Sequence, residues 1–192
     1  MALLQYNEQF ASPSGGVAGV LTDALGNETT LGMPFSVSYT FTRPADTTAY
    51  AAGDLVANST TAGSVVPMSW VVGKGTGRPV SIRRVRVFQS NPTVTGGTYK
   101  VFLFSAAPTV ATAGDNGAFA TDVSSVGAIG ESGVVTVIGY SDGAMSAAAP
   151  IAGTEITLVP TAATVYGLLM TTGTPTPTSA ETFTVTLEGW QY

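Results

Sequence analysis

The chain has 192 residues, 44% of them hydrophobic and 10% charged, with 23 glycines, 11 prolines and neither cysteine nor histidine. This length suits one domain, or one domain with an arm, and a mean hydropathy of +0.31 argues against disorder, which needs low hydrophobicity and high charge. The two absences exclude Ser-His-Asp and Cys-His catalysis and thiolate or imidazole sites for zinc, haem and iron–sulfur clusters, so no cofactor is expected.

Neutral hydroxyls replace much of the usual charged surface, with 29 threonines in the chain. The net charge of −5 is unevenly distributed. All seven basic residues fall in residues 1–100 against five acids, whereas residues 101–192 carry seven acids and no base. Such an acidic half repels phosphate, so nucleic-acid binding is not expected. The N-terminal stretch lacks the basic start and apolar core of a signal peptide. The longest apolar runs are about half of what a membrane-spanning helix requires. These features lead us to expect synthesis in a cytoplasm without export, and no membrane partner.

In chain order, residues 1–33 show no sustained period and are Gly-rich, which reads as an extended N-terminal arm. Tyr6 and Phe10, with Leu3 and Leu4, are more apolar than a solvated tail needs, and are candidates for contact with another subunit. From residue 34 to 192 the pattern is that of one β domain. Phe35, Val37, Tyr39 and Phe41 alternate with Ser36, Ser38, Thr40 and Thr42 until Arg43-Pro44 ends the run. Further strands are expected at Asp54–Ala57, Ser64–Val72, Val80–Gln89, Thr98–Ser105, Gly133–Gly139, Thr154–Val159 and Ala163–Met170. A last strand, Thr182–Trp190, points Phe183, Val185 and Leu187 inward. Turn clusters such as Gly114-Asp-Asn-Gly117 and Asp142-Gly143 separate them. About nine short strands with this punctuation predict an all-β, antiparallel β-sandwich of jelly-roll type. A few helical turns fit Asp115–Val123. Tyr99–Phe104, apolar on both phases, needs cover on two faces, from loops or from a neighbouring subunit.

Gly73-Lys-Gly-Thr-Gly-Arg78 superficially resembles a phosphate loop, but the Walker spacing and following helix are missing. Arg83, Arg84 and Arg86 form the one dense basic cluster. Strict alternation puts Arg84 and Arg86 with Ile82, and Arg83 with Val85 and Val87, so a single core requires a bulge. The cluster reads either as a solvated edge strand or as a docking stripe for carboxylates. The acids of the second half sit singly in turn-like contexts, which favours turn chemistry over a paired-carboxylate glycosidase. Asp115, Asn116 and Asp122 offer hard oxygen ligands for calcium, without EF-hand spacing. Trp70, Trp190, Tyr99, Tyr166 and Tyr192 suit either a core or sugar stacking, and alternating strands favour the core.

Phe41-Thr-Arg-Pro-Ala-Asp-Thr-Thr-Ala-Tyr-Ala-Ala-Gly-Asp-Leu-Val-Ala57 is similar to a segment of tailed-bacteriophage structural proteins. Leu103-Phe-Ser-Ala-Ala-Pro108, followed by Gly114-Asp-Asn-Gly-Ala-Phe119, resembles a second segment of the same proteins. The resemblance implies a head decoration (cement) protein without catalytic residues, bound to the outside of the capsid, often as a trimer. Its partners would be the major capsid protein and further copies of itself, and its place the virion surface. In that setting Arg83, Arg84, Arg86, Tyr6 and Phe10 are the candidate interface residues. The alternative is a carbohydrate- or receptor-binding module of a tail fibre or tail tip.

Overall fold

Alternation of apolar and hydroxyl side chains builds the longest ladders, and the remaining strands assemble on them. The computed structural model describes residues 21–22, 28–29, 32–73, 78–94, 97–120, 127–146, 149–150, 155–158 and 163–192. Two short strands, β1 (Leu21–Thr22) and β2 (Glu28–Thr29), pair with each other in a separate ladder. The arm expected over residues 1–33, with Tyr6 and Phe10, lies mostly outside the described residues.

Pro34–Gln191 forms one compact unit, entered through β3 (Met33–Thr42). There follow β4 (Leu55–Val56), β5 (Met68–Val71), β6 (Val80–Gln89), β7 (Thr98–Phe104) and β8 (Ala128–Glu131). The chain continues through β9 (Val135–Gly139), β10 (Ala144–Ser146), β11 (Ala149–Pro150), β12 (Ile156–Leu158), β13 (Thr164–Thr171) and β14 (Thr182–Gln191). β14 lies between β3 and β6, and the other edge of β6 carries β10, β11 and β12 in turn. A second layer centres on β13, with β7 on one side and β4 and β5 on the other. β8 and β9 occupy the far edge of β7. Because β9 also pairs with β10, one antiparallel sheet curls into a half-barrel whose layers face each other, a jelly-roll-like β-sandwich.

The core lies between the layers. Val85 and Val87 of β6 and Val185 and Leu187 of β14 meet Leu103 of β7 and Leu169 of β13, all fully buried. Trp70 of β5 spans the gap, its indole N–H donating to the Val185 carbonyl at 3.0 Å while Tyr39 packs edge-on at 6.4 Å. Phe183 stacks on Phe41 at 5.6 Å and takes the edge of Tyr99 at 5.7 Å. Each such ring pair adds about 0.5–1.5 kcal/mol beyond its buried area.

The expected sandwich is present, with local differences. Ser64–Val72 divides into a 3-10 turn at Ala62–Ser64 and a strand at Met68–Val71, because Pro67 offers no ladder donor and holds Val66 extended. Asp54–Ala57 contracts to Leu55–Val56. Where helical turns were expected from Asp115, residues 115–120 form a turn and an isolated bridge between Ala118 and Asp54, and residues 121–126 lie outside the described set. The two-faced strand β7 is covered from within the chain. Phe102 stacks on Phe119 at 4.6 Å, and Phe104 joins Leu55, Val110 and Leu168 in a second apolar cluster behind the sheet. Among the described residues no helix is long and apolar enough to cross a membrane.

Candidate functional site

β6 is a central strand, hydrogen-bonded on both edges, so the arginine cluster does not mark a solvated sheet edge. A bulge reconciles it with the core. Ile82 lies opposite Gly189 and Arg84 opposite Glu188, which leaves Arg83 as the extra residue. Ile82, Val85 and Val87 therefore all face inward, and Arg83 and Arg84 are exposed in succession. Gly189 is the residue that permits this, since a Cβ there would overlap the Ser81 carbonyl oxygen.

The structure brings Arg83, Arg84 and Arg86 together on the outer face, each tied to a carboxylate. Arg83 Nε donates to Glu155 at 2.8 Å, and the same carboxylate oxygen accepts the Ser81 hydroxyl at 2.5 Å. The Ser81 hydroxyl and then Arg83 hold the Glu155 carboxyl below its ordinary range. Arg84 and Arg86 share Glu188, the former at 3.5 Å and the latter through Nη2. Three guanidinium groups thus meet two carboxylates, and one positive charge is left over on a chain of net −5. Arg86 Nε is shielded from solvent and has no acceptor among the described residues. Trp190, 36% exposed, lies beside them with the Arg83 guanidinium 6.0 Å from its ring centre. Together with Pro34 and Ser36 these groups line a surface depression of about 270 Å3. A second depression of about 260 Å3, lined by Ser38, Thr184, Thr186 and Met145, shares Ser36, Arg86 and Glu188 with the first.

The other candidate groups are placed elsewhere. Asp115 is buried, and its carboxylate accepts Arg43 Nη2 at 2.9 Å, the Tyr50 hydroxyl at 2.7 Å and the Ala57 amide at 2.9 Å. Its oxygens are therefore engaged by the fold and not arranged for calcium, and Asp122 lies outside the described residues. Burial pushes the Asp115 carboxyl up against these three donors. The same burial opposes the charge on Arg43, but Tyr50 and Asp115 hold its guanidinium protonated. Three donors and no acceptor facing Asp115 fit an anion paired with a cation. Burial, then Asp115, also push the Tyr50 hydroxyl up, so it stays a donor.

Trp70 and Tyr99 are core residues, whereas Tyr166 and Tyr192 are half-buried. Residues 74–77 of the Gly73–Arg78 run lie outside the described set. Among the described residues no three acids cluster as metal ligands would. No family model matches this sequence, and no curated protein matches it.

Proposed function

We propose that this chain is a non-catalytic bacteriophage capsid decoration protein that binds the outer surface of an assembled head and bridges adjacent capsid subunits. The observation that carries the reading is an exposed apolar pair on the outer face of the sheet. Ile138 of β9 stands directly opposite Met145 of β10, at 62% and 41% exposure, and Tyr140, just past the end of β9, is 56% exposed. Contiguous exposed apolar groups of this kind mark protein contact surfaces.

The surrounding surface is hydroxyl-rich. Ser38 bonds Thr186 at 2.8 Å and Thr40 bonds Thr184 at 2.7 Å across β3 and β14. Sparse charge around an apolar centre suits an interface, whose core is depleted in charged residues. The rigid sandwich supplies the body, and β3, which ends the strand order among the described residues, offers an edge for strand addition. The similarity of the Phe41–Ala57 and Leu103–Phe119 segments to virion proteins supports the same reading. In it the partner is the major capsid protein, three copies gather around a local three-fold site, and binding to the assembled shell stabilises that state by mass action.

Copy number in purified particles, measured by quantitative mass spectrometry against the major capsid protein, tests it. One copy per capsid subunit, or one trimer per three-fold site, is expected. A handful of copies would move the protein to a tail or portal vertex, and none would remove it from the virion.

A further inference from the structure

The geometry points to a binding site for a carboxylate-bearing oligosaccharide in the outer-face depression between Trp190 and the arginines of β6. This site stands whether or not the chain coats a particle.

Three observations carry it. The first is the excess of cation over anion: Arg84 and Arg86 share Glu188, and Arg84 remains 61% exposed in its side chain. A planar guanidinium with free N–H groups is matched by a carboxylate, which accepts two of them at once. The second is Arg86: its side chain is 43% exposed and its buried Nε has no acceptor among the described residues, so Glu188 leaves this guanidinium incompletely paired. The third is the composition of the walls. An exposed indole at one end and the hydroxyls of Ser36, Ser38 and Thr186 further along give a stacking surface and hydrogen-bonding groups, the mixture that recognises a sugar ring.

The position of the site selects a saccharide over an acidic peptide. Its floor is the face of β14 and β6, which both have strand neighbours on each side among the described residues, so the groups it presents to a ligand are mainly side chains. Recognition must come from side chains, and the side chains present are aromatic, hydroxyl and guanidinium.

Isothermal titration of the full chain with trigalacturonate and with sialyllactose, at low salt, tests this, with lactose and a hexaglutamate peptide as comparators. At least one acidic sugar should bind at least tenfold more tightly than lactose. Arg84→Gln should weaken that binding about tenfold with melting temperature unchanged, Trp190→Ala should weaken it about tenfold in a chain that still unfolds cooperatively, and Arg84→Lys should restore only part of the loss. Equal binding of lactose would remove the carboxylate from the site. Hexaglutamate binding that ignores Trp190→Ala, without acidic-sugar binding, would make it a docking face for acidic polypeptide. No heat with either acidic sugar would overturn the proposal.

Discussion

Arg43 and Asp115 are 72 residues apart in sequence, yet Arg43 Nη2 donates to Asp115 Oδ2 at 2.9 Å with both side chains fully buried. Each belongs to one of the two segments, Phe41–Ala57 and Leu103–Phe119, on which the proposed function partly rests, and backbone bonds knit those segments together. The Leu55 amide donates to the Gly117 carbonyl at 2.8 Å, and the Phe119 amide to Gly53 at 2.9 Å. The two segments therefore form a structural clasp behind the second layer. Removing one partner of a buried pair leaves an uncompensated charge and costs about 3–5 kcal/mol. Asp46, 3.2 Å from Arg43 and partly exposed, keeps the expected loss for Asp115→Ala near the lower end. Urea unfolding should show a lower midpoint for Asp115→Ala and partial recovery when Arg43→Met and Asp115→Leu are combined. An unchanged midpoint in the single variant would mean that Asp46 alone suffices.

Glu181 carries a second, pH-dependent expectation. It is 2% exposed, and its Oε2 accepts the Thr178 amide at 2.9 Å. Burial pushes this carboxyl above its ordinary 4.5. A raised folded-state value means the folded chain holds the proton more tightly. The stabilising contribution is complete below the unfolded value and is lost as pH rises through the folded one. Glu181→Gln removes that titration, so its melting temperature should gain on the wild type as pH rises above the unfolded carboxyl value. A difference that stays constant across the range would refute this account.

The long strands were legible because their pattern is local. Phe183, Val185 and Leu187, read as inward from alternation, are each at most 1% exposed. Other features depend on distant partners. The Gly114–Gly117 stretch does form the turn its residues suggest, with Asn116 at φ 58° and the Gly117 amide bonded to the Gly114 carbonyl at 3.2 Å. The destination of the Asp115 side chain could not be read there, because Arg43 lies so far upstream. The arginine run likewise announced a bulge, but Arg83 becomes the extra residue only because Gly189, on another strand, lets the backbones approach. Strands β8, β10 and β11 went unread because two to four residues rich in Ala and Gly carry no period; neighbouring strands hold them in place.

Gly189→Ala tests that dependence. The added Cβ would overlap the Ser81 carbonyl oxygen and lie 3.0 Å from Phe35 Cε1, so the bulge must open or β14 must shift. Overpacking of this kind costs about 1–3 kcal/mol. The urea midpoint should fall accordingly, and Trp190 fluorescence should change as the outer face rearranges. A variant with wild-type stability and emission would show that the bulge tolerates a side chain.

The apolar pair on the outer face separates binding from folding. Ile138 and Met145 face each other across β9 and β10 and lie outside the buried core, so polar replacements there open no core cavity. Surface substitutions usually stay within about 0.5 kcal/mol in stability. A charge at the centre of an interface, by contrast, must be desolvated without a partner, which costs several kcal/mol of affinity. Ile138→Lys and Met145→Glu should therefore leave the melting temperature within a few degrees of wild type. Co-sedimentation with assembled heads should fall at least tenfold for each. If both variants bind heads like the wild type, the contact surface lies elsewhere on the sandwich, and the edge of β3 becomes the next element to alter.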